Sequence, residues 1–378
     1  MTRGLALLAA CLCIGLWHSA QRVDLNWSFA LSEVPSPSDA APRVETVFDY
    51  TTTQGVAHAA ALQFGGGAAE DGFSIIWFEG TRESHNDVVI RQADLTKTDQ
   101  SWSPDTPQTY LTKEAMSAVT TPRQTILTLG NTIQFGDSTD RVLATIVSLG
   151  GWAAASIAMV EMGVDGPQHV RKLSLSPFLN RSHLVRAPTL AYQDGTVAIP
   201  AYQELGNAFG LLVRLGPEGR VRDTRRLTQG RFGLQPMIVP LDAQNAVALI
   251  RNFDDDTDRL IAAWTQDGGR SWSQPKLLDL PNPSAPVAAL RLASGDLLMA
   301  YNDVLPGAPA GGGLLRLAVS DDQGETWHVT RTLEQGGGNA RYPAMARLPD
   351  GDIVLTYSYG SKSSLKALVF NDAWASGG

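Results

Sequence analysis

Short apolar stretches separated by turn-forming residues dominate the chain. Residues 296–301 and 353–357 are two such stretches, and each has the length of a single strand. No long stretch has the spacing of an amphipathic helix, so the pattern predicts an all-β protein. Dipeptides that favour hairpin turns lie between apolar runs at Asp194-Gly195, Ser294-Gly295 and Asp350-Gly351.

A longer unit recurs along the chain. It is an apolar segment opened by proline, a turn, and an apolar strand that ends in a polar or aromatic residue. The spacing of roughly fifty residues indicates repeated supersecondary structure. Six units of about four strands each predict a closed six-bladed β-propeller over residues 41–378. In this repeat the alanine-rich residues 153–160 occupy a strand position, although their composition also suits a helix. Clear copies occupy residues 187–202, 235–251, 285–301 and 342–357, and weaker copies begin at His58 and Pro122.

Two eight-residue segments share the pattern Ser/Thr-x-Asp-x-Gly-x-Ser/Thr-Trp, at residues 265–272 and 320–327. In each copy the aspartate can accept turn N–H bonds, the glycine supplies positive φ, and the tryptophan packs the turn onto the sheet. The pattern resembles the Asp box of sialidases and related β-propellers. We assign Asp267, Asp322, Trp272 and Trp327 to structure, between outer strands and away from the propeller mouth.

Composition narrows the function. The chain has 378 residues, 43% hydrophobic, and a formal net charge of −8 without a Lys/Arg cluster, so we expect a globular protein that does not bind nucleic acid. Both cysteines, Cys11 and Cys13, lie near the N-terminus, and the six histidines are scattered. The acidic run 254–258 lacks the glycine and distal glutamate of an EF-hand loop. We therefore predict no metal, no cofactor and a monomer.

The N-terminus has the features of an export signal. Arg3 precedes the apolar residues 4–17, and Ser19-Ala20 offers small residues for cleavage. An uncleaved anchor is an alternative because His18 disfavours cleavage, and residues 8–11 resemble a lipobox. We assign residues 1–20 to a signal peptide or membrane anchor and residues 21–40 to a linker. The protein is then periplasmic, secreted or anchored outside the cytoplasm.

From about His58 to Trp374 the chain resembles the sialidase superfamily. The motif Trp-Phe-x-Gly-Thr-Arg-Glu of a sialidase-like branch is present at residues 77–83, and its C-terminal motif Val-Phe-Asn-x-Ala-Trp is present at residues 369–374. The branch's motif Asn-Pro-(Asn/Asp)-Ser appears, one residue shorter, as Asn-Pro-Ser at residues 282–284. The resemblance implies an exo-glycosidase that removes a terminal acidic sugar, sialic acid or a related ulosonic acid, from a glycan. The alternatives are a hydrolase of another glycan, with Asp87 and either Glu204 or Glu83 as its carboxylates, and a non-catalytic glycan-binding propeller.

Sialidases use an arginine cluster for the sugar carboxylate, a tyrosine nucleophile with a neighbouring glutamate, and an aspartate as acid and base. Carried over, the resemblance places the nucleophile at Tyr342, the second arginine at Arg251 and the acid/base at Asp87. Two family positions differ, with Gln235 at the glutamate and Gly312 at the third arginine. The motif of the first arginine is replaced by the segment at His58.

Further candidates compensate for these differences. Glu204 is the alternative base for Tyr342, with a hydrogen-bonded rim carboxylate as its structural alternative. Arg82 and Arg186 offer guanidinium groups, and a surface ion pair is the alternative for Arg82. The predicted catalytic residues are Tyr342, Asp87 and Glu204, and the predicted substrate-binding residues are Arg82, Arg251, His58, Arg186, Tyr301 and Asp303.

Overall fold

A computed structural model of the protein describes residues 25–32, 34, 41–65, 72–98, 101–176, 180–228, 233–254, 256–303, 313–334 and 339–377. The predicted signal segment 1–20, both cysteines and Gly312 lie outside the described residues, as does part of the predicted linker.

The described strands form six antiparallel sheets that follow one another along the chain, so the predicted six-bladed propeller is confirmed. Blade one contains β2 (Val56–Gln63), β3 (Phe73–Gly80), β4 (Val89–Lys97), β5 (Trp102–Pro104) and β6 (Gln108–Leu111). Blade two contains β7 (Thr128–Gln134), β8 (Arg141–Val147), β9 (Ser156–Gly163) and β10 (Gly166–Lys172). Blade three contains β11 (His183–Val185), β12 (Leu190–Ala191), β13 (Val197–Gln203), β14 (Phe209–Leu215) and β15 (Val221–Arg226).

The last three blades have four strands each. Blade four contains β16 (Gly233–Pro240), β17 (Ala246–Asn252), β18 (Arg259–Thr265) and β19 (Lys276–Pro281). Blade five contains β20 (Ala288–Arg291), β21 (Leu297–Asp303), β22 (Leu314–Ser320) and β23 (His328–Glu334). Blade six contains β24 (Arg341–Arg347), β25 (Ile353–Tyr359), β26 (Ser364–Phe370) and β1 (Val44–Thr51).

The ring closes through the N-terminal strand. β1 pairs antiparallel with β26, with Val44 opposite Phe370 and Thr51 opposite Ser364, so that both ends of the described propeller share blade six. Closure in this way pairs a strand edge that would otherwise be free. Short helices, α1 (Lys113–Val119) and α2 (Asp372–Ala375), and 3₁₀ turns at Gly151–Ala154 and Gly360–Lys362 connect or follow the strands.

The core lies between neighbouring blades, so the second strand of a blade is covered on both faces. Every residue of β3 is buried, for example, and Trp77 on this strand packs against Phe48 and Tyr50 of blade six. Burial on both faces explains why such strands are continuous apolar runs instead of alternating ones. The alanine-rich residues 153–160 are chiefly strand, since β9 begins at Ser156 after the 3₁₀ turn.

Strand order defines two faces of the propeller. In each blade the start of the first strand and the end of the second strand lie at the same face of the propeller. We call this face the cavity face. The turns between first and second strands, at Asp194-Gly195, Ser294-Gly295 and Asp350-Gly351, lie at the opposite face. The Asp boxes join third and fourth strands, so they also lie at the opposite face, as expected.

Both Asp boxes use the same hydrogen bonds. Asp267 Oδ1 accepts from Ser271 N at 2.8 Å, and its Oδ2 accepts from Ser271 Oγ at 2.6 Å. Asp322 accepts the equivalent bonds from Thr326 at 2.9 and 2.6 Å. Burial raises the pKa of both carboxyls, but the hydrogen bonds outweigh it and leave each pKa below its usual value.

Residues 25–31, inside the predicted linker, pack on the opposite face of blades three and four. Phe29 is fully buried, and its N–H donates to Ala243 O at 2.8 Å. Trp27 covers the guanidinium of Arg214, which lies 4.9 Å from the indole centroid. We call residues 25–31 the N-terminal clasp, because they bridge turns of two blades.

Candidate active site

Four of the first strands are interrupted near the cavity face. In each, a register shift marks a bulge, and three bulge residues have positive φ: Ala59 at 56°, Gln235 at 47° and Tyr342 at 57°. A bulge turns a side chain away from the regular alternation, and a non-glycine residue at positive φ is held there at a conformational cost. The shifts fall between His58 and Ala61, Leu129 and Thr132, Leu234 and Met237, and Arg341 and Ala344.

The bulges surround a cavity of about 470 Å³ at the cavity face. Four of the predicted site residues line it: His58, Glu204, Arg251 and Tyr342. Its walls come from blades one, two, three, four and six. The other lining residues are Phe78, Glu83, Ser84, Leu129, Gly130, Asn131, Trp152, Ala153, Ser182, Leu184, Tyr202, Leu205, Leu234 and Gln235.

A hydrogen-bond network connects Tyr342 to blade four. Arg251 Nη1 donates to Tyr342 Oη at 3.2 Å and to Gln235 Oε1 at 2.8 Å. Arg251 Nε donates to Ser284 Oγ at 3.1 Å, and Gln235 Nε2 donates to Tyr202 Oη at 3.2 Å. Gln235 thus connects an arginine with a second tyrosine. It cannot take the proton that a glutamate would accept at this position.

Glu204 follows β13 at the rim of the cavity, and its backbone N–H donates to Ser182 O at 3.1 Å. The residue is exposed to solvent at the rim. Partial burial by the cavity wall raises the pKa of the Glu204 carboxyl above its usual value, and the negative charge of Glu83 raises this pKa further. The positive charge of Arg251 acts in the opposite direction but does not cancel the increase. A carboxyl with a raised pKa is suited to proton donation.

Asp87, the predicted acid/base, does not line the cavity. Its carboxylate accepts from Thr81 N at 3.2 Å and from Thr81 Oγ1, and it lies 2.7 Å from His85 Nδ1. The Thr81 hydroxyl bond is the largest reason that the pKa of Asp87 falls to about 2, and the interactions with His85 and Thr81 N add to it. Asp87 therefore organises the loop of residues 81–87. Arg82, in the same loop, is exposed and outside the cavity lining.

The same loop places Glu83 in the cavity. Lys362 Nζ donates to Glu83 Oε1 at 2.8 Å, and His58 Nε2 lies 3.4 Å from the same oxygen without hydrogen-bond geometry. Glu83 belongs to the Trp-Phe-x-Gly-Thr-Arg-Glu motif, which was the signal for it in the sequence. Lys362 carried no such signal, because it lies in a 3₁₀ turn at the end of β25.

His58 is buried against the nucleophile candidate. Its ring centroid is 4.3 Å from that of Tyr342, with an interplanar angle of 57°. Burial lowers the pKa of His58 well below the usual value, and the charges of Lys362, Arg186 and Arg341 lower it further. His58 is therefore neutral at physiological pH.

Three further predicted ligands, besides Arg82, lie outside the cavity lining. Arg186 is buried beneath Tyr342, and its guanidinium donates to backbone carbonyls. Tyr301 is 1% exposed and packs in the core between blades four and five. Asp303 pairs with Arg316 at 2.7 Å on the neighbouring strand. Tyr301 was predicted to bind substrate, but it lies on the second strand of blade five, where both faces are covered.

Trp152 forms an aromatic wall that sequence reasoning missed. Its indole N–H donates to Ser84 Oγ of the 81–87 loop. Gly130 leaves room for it, since a Cβ at position 130 would lie 2.7 Å from the indole ring. A glycine in a strand pattern marks such close approaches.

Within the described ranges, no group of three or more His, Cys, Asp or Glu side chains is placed to hold a metal ion. Among those same residues, none of the helices has the length and apolar character needed to cross a membrane.

The profile of the BNR repeat-like domain family matches residues 71–355, which is well over half of the chain. The chain belongs to the BNR repeat-like domain family. This BNR repeat-like protein has no significant match among curated protein sequences. Its matched range begins just before β3 and ends within β25, so it includes the cavity walls from blades two, three and four.

Solved structures share the propeller of this BNR repeat-like protein. A sialidase from Trypanosoma rangeli superposes with a TM-score of 0.64 at 9% identity, covering 89% of this chain and 60% of that one. An intramolecular trans-sialidase from Ruminococcus gnavus gives 0.58 at 10% identity, covering 86% and 96%. A protein of unknown function from Dyadobacter fermentans gives 0.60 at 13% identity, covering 87% and 99%. At such identities the likeness establishes a sialidase-like fold and leaves the activity to the site.

Proposed function

We propose that this protein is a retaining exo-glycosidase that removes a terminal acidic sugar from a glycan, with Tyr342 as its nucleophile. The observation that carries this proposal is the position of the Tyr342 phenol. A bulge with φ of 57° turns it into the cavity, where Arg251 Nη1 lies 3.2 Å from its oxygen. A tyrosine nucleophile suits a substrate whose own carboxylate would repel an anionic one.

Two carboxylates of the cavity wall complete the reaction. In the first step the anomeric carbon loses the leaving oxygen and bonds to Tyr342 Oη. Glu204, with its raised pKa, gives its proton to the leaving oxygen, and the phenol proton passes to Glu83. In the second step ionised Glu204 takes a proton from water, whose oxygen displaces the tyrosyl ether. Tyr342 then regains its proton from Glu83, so atoms and charges balance.

Arg251 is the ligand for the sugar carboxylate in this proposal. It is the one arginine that lines the cavity within the described part of the chain, whereas sialidases are expected to use three. A single guanidinium forms fewer charge-assisted bonds with a carboxylate. We therefore expect weak turnover of simple aryl sialosides and better turnover of an acidic sugar that fits the remaining polar groups.

The test is hydrolysis of an aryl glycoside panel that includes sialic acid and other ulosonic acids. We expect Tyr342→Phe to abolish hydrolysis of the best substrate, and NMR of the first-formed sugar to show retained anomeric configuration. Tyr359→Phe is the matched control, because Tyr359 bonds to Asp49 outside the cavity. Full activity in Tyr342→Phe, or an inverted product, would exclude the tyrosine mechanism.

A non-catalytic glycan-binding propeller is the second candidate, and Gln235 is the observation that favours it. Its amide is engaged at both ends by Arg251 and Tyr202 and cannot accept a proton. On this alternative the wild-type protein binds acidic glycans on an array but hydrolyses none of the panel. Arg251→Ala would then abolish binding, whereas Tyr342→Phe would weaken it only slightly.

We also propose that the protein is exported. The support is the sequence of residues 1–20, with Arg3 before an apolar stretch. Fractionation of expressing cells, with mass spectrometry of the mature N-terminus, distinguishes cleavage, lipidation and an uncleaved anchor. Recovery of the intact chain in the cytoplasm would contradict export.

A further inference from the structure

Beneath the cavity lies a buried positive charge that the proposed reaction has not used. Arg186 lies between β11 and β12, the two segments that pair with β13, and is 5% exposed. Among the described residues no carboxylate lies within ion-pair distance of its guanidinium, and Nε has no hydrogen-bond partner there. An unpaired buried charge is costly, so a fold retains it only where other contacts hold it.

Those contacts converge on the bulge that carries Tyr342. Arg186 Nη2 donates to Tyr342 O at 2.8 Å and to Pro343 O at 3.0 Å, and Nη1 donates to Ala60 O at 3.2 Å. One side chain from blade three thus joins the bulges of blades six and one. Because both terminal nitrogens point at backbone carbonyls, Arg186 cannot be a ligand for the substrate.

The same guanidinium also lies against the ring of the nucleophile. Its central carbon is 5.4 Å from the Tyr342 ring centroid. At the bottom of a cavity the screening by water is weak, so a full positive charge at this distance attracts negative charge that develops on the phenol oxygen during reaction. His58 also packs against the ring of Tyr342 and, because it is neutral, supplies no competing charge.

We propose that Arg186 is the positioning residue of Tyr342: its fork holds the left-handed turn that presents the phenol, and its unpaired charge stabilises the negative charge that the phenol oxygen carries during reaction. This inference rests on the proposed role of Tyr342 as nucleophile. Burial lowers the pKa of Arg186 to about 10, which still leaves the guanidinium charged at neutral pH.

Nitration by tetranitromethane tests the inference without any substrate, because this reaction proceeds through negative charge on the phenol oxygen. Peptide mass spectrometry measures the nitration rate of Tyr342 in wild type, Arg186→Gln and Arg186→Lys, with Tyr359 as internal control. We expect Arg186→Gln to slow nitration of Tyr342 about tenfold, and Arg186→Lys, which keeps a charge, to slow it by about twofold or less. Nitration of Tyr359 should be equal in all three proteins.

A measurement on the wild-type protein tests the inference even if a variant does not fold. At neutral pH, Tyr342 should react faster than N-acetyltyrosinamide, although it is partly buried. A slower reaction, or equal rates in wild type and a folded Arg186→Gln, would overturn the inference.

Kinetics with the best glycoside separate this inference from the proposed function. Arg186→Lys should lower kcat about tenfold with KM within about twofold, because the fork positions the nucleophile and does not bind the sugar. Unchanged kcat with a lower melting temperature would reduce Arg186 to a structural role. If instead Tyr342→Phe remains active, the proposed function fails, and the nitration rates still decide the influence of Arg186 on Tyr342.

Discussion

Arg251 Nη1 lies 3.2 Å from Tyr342 Oη, although the two residues are 91 positions apart in the chain. Closure of the propeller brings blade four and blade six to one cavity, and the bulges at Gln235 and Tyr342 turn these two side chains into it. A guanidinium beside a phenol can serve the nucleophile and a substrate carboxylate together. Several consequences of this geometry are measurable.

Replacement of Arg251 by lysine should weaken recognition of an acidic sugar. A single ammonium cannot bond to Gln235, Ser284 and Tyr342 in the geometry of the guanidinium fork. We expect KM for the best acidic glycoside to rise about tenfold, with a smaller fall in kcat. Arg259→Lys, on the exposed surface of the same blade, is the matched control. A KM equal to wild type would remove Arg251 from substrate binding.

The effect of Glu204→Gln should depend on the leaving group, because we propose that Glu204 protonates the leaving oxygen. Glycosides with an aryl leaving group need little protonation, so we expect them to retain most of their turnover. Alkyl glycosides should lose about 10²- to 10⁴-fold in kcat. In wild type, activity should fall as pH rises through the raised pKa of Glu204, and this limb should disappear in the variant. Glu218→Gln, a surface control, should match wild type, and equal losses for both leaving groups would contradict the acid role.

The loop of residues 81–87 should respond to acid through Asp87. The pKa of Asp87 is about 2 in the folded protein and about 3.9 in the unfolded chain. Its contribution to the stability of the folded loop is therefore fully present above pH 4 and is lost toward pH 2. We expect an acid protease of broad specificity to spare this loop at pH 4 and cut it near pH 2. Asp87→Asn should be cut at both pH values.

Two controls make the proteolysis experiment specific. The fully exposed turn at Val164 reports protease activity at each pH, and tryptophan fluorescence reports global unfolding. Resistance of the Asp87→Asn loop at pH 4 would show that Thr81 and His85 hold the loop without the carboxylate.

The N-terminal clasp should stabilise the whole propeller. Phe29 is fully buried, with its ring centroid 4.8 Å from that of Tyr192. We expect Phe29→Ala to lower the free energy of unfolding by about 3–5 kcal/mol in urea titrations. Leu31→Ala is the control, since Leu31 is 43% exposed, and should change it by about 0.5 kcal/mol or less. Equal effects of the two substitutions would mean that the clasp does not anchor the chain.

Local features were predictable because their interactions are local. In both Asp boxes the aspartate bonds to a residue four positions later, so the eight-residue motif contains its own partners. Hairpin dipeptides and the roughly fifty-residue repeat likewise determine the strands and the number of blades. The clasp escaped prediction, because Phe29 gains its burial from turns more than 160 residues away.

The sequence by itself determined the all-β propeller, its turns and four lining residues of the cavity. Only the tertiary structure decided that Glu83 and not Asp87 faces the cavity, and that Arg186 lies beneath it. The physical reason is that a strand or bulge sends neighbouring side chains to opposite sides, so a shift of one residue exchanges a ligand for a core residue. Long-range partners such as Lys362 for Glu83 exist only once the ring has closed.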